Sequence, residues 1–146
     1  MHRRLIIFTL GLIVGTARAG AAPTDEVTVL SAKTSLFLNS LTLGELPLRR
    51  TGTRYETSYT VKVFPIFFYG ENGRFAIEVP EADLARLRAG TPIAFKGEAE
   101  NTDHEKRHVE GTATPADASS GRIKVKIFVT AKLALTFDTT YRFTGK

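Results

Sequence analysis

The residues most able to do chemistry stand together at His104-Glu105-Lys106-Arg107-His108. This is the H-E-x-x-H spacing with which a helix presents two imidazoles to one zinc ion and a carboxylate to the metal-bound water. That chemistry requires the helix. Here Asn101-Thr102-Asp103 before the motif and Gly111-Thr112 after it belong to a strand, loop, strand pattern, and the two internal positions, usually uncharged in such sites, are Lys106 and Arg107. On a single strand the two imidazoles would stand about 13 Å apart, at roughly 3.3 Å per residue, too far to share a metal. A third ligand from downstream could come only from Glu110, Asp117 or Asp138. The segment therefore reads as a polar hairpin loop, and neither a metal at His104, Glu105 and His108 nor a cofactor is expected.

No serine, carboxylate pair or glycine loop has the neighbours that would mark a nucleophile, an acid and base pair or a phosphate cradle, so no catalytic residue is assigned. The aromatic group Phe64, Phe67, Phe68 and Tyr69 offers binding surface instead. Phe68 is read as core, and Phe64, Phe67 and Tyr69 are the candidates for a ligand site or an interface. Basic residues cluster at Arg49, Arg50 and Arg54 and again at Arg122, Lys124 and Lys126. Glu98, Glu100 and Glu110 occupy equivalent positions on nearby strands, so cross-strand charge pairs account for these clusters without a nucleic acid.

The elements that must position these residues are mostly strands. From Thr53 to Phe64, Tyr55, Thr57, Tyr59, Val61 and Val63 alternate with Arg54, Glu56, Ser58, Thr60 and Lys62, the period of two of a half-buried strand. The same pattern runs through Ile123, Val125, Ile127 and Val129, and through Leu133, Leu135, Phe137, Tyr141 and Phe143. It recurs in shorter form from Ile93 to Glu100 and from His108 to Thr114, where Gly97, Ala99, Gly111 and Ala113 keep the inward face small. Val27 to Leu30 and Leu36 to Leu43 are further strands. Asn72-Gly73 lies between two apolar runs and predicts a two-residue hairpin turn. That turn would set Phe68 opposite Ile77 and Ile66 opposite Val79, with a bulge at Pro65 that turns Phe67 and Tyr69 outward.

One helix is signalled, at about 81–89. Pro80 suits its start, Glu81 and Asp83 its positive end, Arg86 and Arg88 its negative end, and Gly90 its stop. Leu84 and Leu87 give it one apolar edge with which to plug an end or corner. Asn101 to Lys106 and Pro115 to Gly121 read as loops. About eight short strands with one short helix predict a mostly β fold, an antiparallel β-sandwich or a small β-barrel.

The N-terminus combines Arg3-Arg4, an apolar run from Leu5 to Val14, and Ala17-Arg18-Ala19. That is the succession of a cleavable signal peptide over residues 1–19, too short in its apolar part to span a bilayer as a helix. A single β domain over 20–146 is expected to remain, exported to a periplasm or secreted. The chain contains no cysteine and carries a formal charge of +5. With Arg3, Arg4 and Arg18 removed, seventeen basic residues face fifteen acidic ones, a net charge of about +2 that gives little reason to expect an anionic partner. A domain without disulfides must rest on its own core.

The expectation is a non-enzymatic domain that binds a small apolar ligand or a protein partner. The alternative is a structural or surface-assembly module that pairs through edge strands. An outer-membrane barrel would show the same alternation with its apolar side to lipid, but a helix in mid-chain and strands mostly shorter than nine residues speak against it.

Overall fold

The computed structural model describes residues 24–65 and 70–144, so the expected signal peptide lies outside the described residues. Alternation governs what is seen. The strands are β1 (Glu26–Val29), β2 (Ala32–Leu36), β3 (Asn39–Leu43), β4 (Leu46–Thr51), β5 (Arg54–Phe64), β6 (Glu71–Glu78), β7 (Ile93–Asn101), β8 (Lys106–Pro115), β9 (Ser120–Phe128) and β10 (Ala134–Phe143). Helix α1 (Glu81–Arg88) joins β6 to β7. Of the two predicted architectures the barrel is the one formed. Neighbours run β5-β4-β1-β10-β9-β8-β7-β6, all antiparallel, and β6 pairs back onto β5 to close a ring of eight strands. Closure pairs every strand of the ring on both sides over at least part of its length.

The hairpin β2–β3 extends the hairpin β1–β4. Val29 pairs with Leu46 and Ala32 with Leu43, so the arms keep one register across Leu30-Ser31 and Gly44-Glu45. The buried positions change parity there, from Val27 and Val29 to Ala32 on one arm and from Leu41 and Leu43 to Leu46 and Leu48 on the other. Against β5 the outer arm advances six residues, Leu43 to Arg49, while β5 advances five, Val61 to Glu56. That extra residue is a bulge, and it bends the hairpin. The predicted strand Leu36 to Leu43 is therefore two strands with a turn at Phe37-Leu38, because the turn breaks an apolar run that has no glycine to announce it.

The Asn72-Gly73 hairpin is not formed. Both residues lie inside β6, with Asn72 opposite Thr60 and Gly73 opposite Tyr59, and Ile77 faces Tyr55, not Phe68. Glycine serves close approach here: a Cβ on Gly73 would stand 2.0 Å from the Glu100 carbonyl oxygen. Pro65 ends β5 where a bulge was expected, and Ile66, Phe67, Phe68 and Tyr69 lie outside the described residues.

Inside the ring, Tyr55, Phe75, Phe137, Leu43, Leu46 and Leu48 are fully buried. The small inward positions of β7 and β8 make room for one large ring. Phe95 faces Gly111 across the ladder, and its Cζ lies 2.3 Å from where a Cβ on Gly111 would be. Outward positions carry Arg54, Arg74, Lys96, Glu98, Lys124 and Asp138. This charged exterior, and not strand length, separates the barrel from a lipid-facing one, since β5, β7, β8, β9 and β10 all reach nine residues or more. Among the described residues no helix is long and apolar enough to cross a membrane.

Helix α1 forms where it was expected. Gly90 takes a left-handed φ of 101° and lets the Thr91 N–H close back on the Arg86 carbonyl at 2.9 Å, which satisfies an end carbonyl. Leu84 and Leu87 are buried toward β7 and β8, so the helix plugs this end of the barrel.

Candidate functional site

At the opposite end no element covers the interior among the described residues. There β5, β7 and β9 end and β6, β8 and β10 begin, and inward positions bring together Leu36, Leu41, Val61, Val63, Ile127 and Leu135 around a cavity of about 350 Å³. The size falls within the range of small-molecule sites. Part of its opening is a seam. β1 is laddered to β10 as far as the bond from Leu30 N to the Thr140 carbonyl, at 3.0 Å, whereas among the described residues no ladder joins β2 to β10. The bend in the hairpin thus leaves β2 packed beside β10 without a ladder at the mouth.

The polar side of the cavity is built by three residues on β5, β6 and β8. Tyr59 shares the inward parity of Tyr55 and Val61, Glu71 that of Phe75 and Ile77, and Arg107 that of Val109. The Tyr59 hydroxyl donates to Glu71 Oε1. Arg107 donates from Nε to Oε1 at 3.0 Å and from Nη2 to Oε2 at 2.8 Å, a two-pronged contact, and from Nη1 to the Val129 carbonyl at 3.3 Å. The pair is well shielded, with side-chain exposures of 16% for Arg107 and 22% for Glu71.

Burial pushes the Glu71 carboxyl up, but hydrogen bonds from Arg107 and Tyr59 outweigh it and hold the group below the usual carboxylate range. Burial, with the hydrogen bond to that carboxylate, holds the Tyr59 phenol well above its ordinary value. At neutral pH the trio is a carboxylate, a guanidinium and a neutral phenol that satisfy one another. Nearby Asn101 is buried and accepts the Asp103 and Glu105 N–H groups at 3.0 and 2.9 Å, which shapes the β7–β8 turn.

The residues singled out in the sequence are dispersed. Phe64 ends β5 opposite Ser40, on the outer side of the mouth, 62% exposed. Phe67 and Tyr69 lie outside the described residues. His104 sits in the β7–β8 turn with φ 63° and meets Glu100 at 3.2 Å, whereas His108 faces outward on β8 and meets Glu110 at 2.9 Å. The two imidazoles engage different carboxylates, and Glu105 approaches Arg107 at 3.6 Å.

The basic clusters lie among acids. Arg49 meets Glu26 and Arg50 meets Glu81, each at 3.1 Å, Arg54 meets Glu56 and Glu78 at 3.5 Å, and Lys124 meets Asp138 at 4.0 Å.

The sequence places Tyr59 on the inward face of its strand but does not reveal Glu71 and Arg107 as its partners. Glu71 was absorbed into a turn that does not exist, and Arg107 into a motif set aside as a loop. Parity was the available signal, because Arg107 stands two residues before Val109 on the same face.

No family model, no curated protein and no solved structure matches the chain.

Proposed function

We propose that the chain is an exported, non-enzymatic binding domain that takes one small, uncharged apolar molecule into the open mouth of the barrel. The observation that carries this is the mouth cavity of about 350 Å³, walled by aliphatic side chains. Its polar side is a trio already satisfied internally. A charged ligand would have to displace Glu71 from Arg107, at a cost of roughly 1.5 to 3 kcal/mol for each hydrogen bond to a charge. An apolar one needs no such exchange. Eight-stranded barrels are also just wide enough to be filled by side chains or to hold one small ligand. Export rests on the basic, apolar and Ala-x-Ala succession of residues 1–19.

Native mass spectrometry of protein taken from the exporting compartment should show an added small mass. In solution, a neutral apolar fluorescent dye should bind, and Leu36→Trp, which fills the cavity from its hairpin side, should weaken it at least about tenfold. Absence of a carried mass, together with dye binding equal in the two proteins, would sink the reading.

A second reading has its own support. Among the described residues β2 packs beside β10 without a ladder, and if it shifts from β10 that edge can accept a strand from another chain. A stable oligomer in the same mass spectrum would favour it.

A further inference from the structure

The tip of the β2–β3 hairpin exposes two large apolar side chains, Phe37 at 89% and Leu38 at 97%. Phe37 is also strained. It holds φ 56° at the first central position of a two-residue turn, where glycine ordinarily supplies the positive angle. A bulky residue kept in such a conformation, with its ring in the open, points to a role for the ring.

The flanks of the tip are basic. Lys33 and Lys62, both exposed, flank the half-buried Thr42 in one row across β2, β3 and β5. Between Ser31 and Gly44, and between Thr57 and Pro65, there is no Asp or Glu. The β9–β10 turn beside the hairpin carries Lys132. Of the acids of this end, Glu71 is engaged by Arg107 and Glu100 by His104, and Asp103 and Glu105 belong to the β7–β8 turn.

We propose that this tip docks on the surface of a lipid bilayer with anionic headgroups, Phe37 and Leu38 entering the headgroup boundary while Lys33 and Lys62 face the phosphates. Apolar insertion with flanking lysines is the general chemistry of interfacial attachment. The mouth would then face the layer from which an apolar molecule could enter, although docking does not depend on the cavity being a binding site.

The test is co-sedimentation of the full exported chain with vesicles of phosphatidylcholine alone and of phosphatidylcholine mixed equally with phosphatidylglycerol. Binding is expected to the mixed vesicles and to be weaker on the neutral ones. Phe37→Gly relieves the backbone strain, so its melting temperature should equal or exceed that of the parent. Its vesicle affinity should fall at least about tenfold. Leu38→Ser should behave alike, and Lys33→Gln with Lys62→Gln should reduce the preference for anionic vesicles.

No binding to either vesicle, or equal binding by Phe37→Gly, would overturn the proposal. So would a dimer that forms without vesicles and is lost in Phe37→Gly, since the tip would then serve a second copy. Dye uptake measured without vesicles keeps the two proposals apart, because either result can fail while the other holds.

Discussion

At the helix end of the barrel, Leu84 and Leu87 close the interior. Arg50, 8% exposed there, lies 5.0 Å from the Tyr55 ring and donates to the Val79 carbonyl at 3.0 Å. The Tyr55 hydroxyl donates to the Thr24 carbonyl at 2.6 Å. At the mouth the inward positions are as apolar, yet no element covers them among the described residues, and the polar side chains answer one another across the opening. Both ends follow the same alternation along the strands. What differs is whether a connection is long enough to fold back as a plug. Among the described connections β6–β7 is, whereas the β2–β3, β7–β8 and β9–β10 turns are too short to reach across.

This contrast predicts that packing at the plugged end carries more stability than packing at the mouth. Phe95→Ala, which empties the space over Gly111, should cost about 3 to 5 kcal/mol in denaturant melts. Leu87→Ala should follow at about 2 to 4 kcal/mol. Leu36→Ala at the mouth should cost under about 1 kcal/mol, because its side chain already borders open space. Equal losses at the two ends would break the comparison.

The trio sharpens it through pH. Glu71 has a depressed value in the fold, so its stabilisation is present above the unfolded carboxylate range, near 4.5, and is lost as pH falls through the lower folded value. Glu71→Gln, which leaves Arg107 without its anion, should cost about 1 to 3 kcal/mol at neutral pH and flatten the acid limb of the stability curve.

The tyrosines act at the other limb, with smaller effect. Tyr59 is raised chiefly by burial, as is Tyr141, which is pushed up to about 12. A raised value contributes stability below the unfolded phenol value of 10 and loses it as pH rises through the folded one. Stability should therefore decline from pH 10 upward, less steeply in Tyr59→Phe, and spectrophotometric titration of the phenols should show the delayed ionisation.

Much of the fold was legible. β5, β9 and β10 were read within a residue or two because their alternation is long and unbroken, and α1 because its charges and Gly90 mark both ends. The misreadings have a common cause. Asn72-Gly73 has the composition of a turn, but its glycine answers a backbone neighbour, Glu100, nearly thirty residues later in the chain. Leu36 to Leu43 has the composition of a strand, but its centre turns with Phe37 in a glycine-like conformation. Of the site, Val61, Val63, Ile127 and Leu135 were legible as inward strand positions, whereas Leu36 and Leu41 lay in a segment read as a single strand. Tyr59 was legible as inward too, but Glu71 and Arg107 were not, since a charged residue reads as solvent-facing until the strands beside it are known.

By itself the sequence determined the β class, the run of most strands, the face each turns inward and the helix, because period and capping are properties of neighbouring residues. Only the tertiary structure decided that β6 closes onto β5, that the β2–β3 hairpin packs beside β10 without a ladder, and that Tyr59, Glu71 and Arg107 meet at the mouth. Those outcomes depend on register summed around a closed ring, where one bulge between Leu43 and Arg49 redirects the hairpin beyond it.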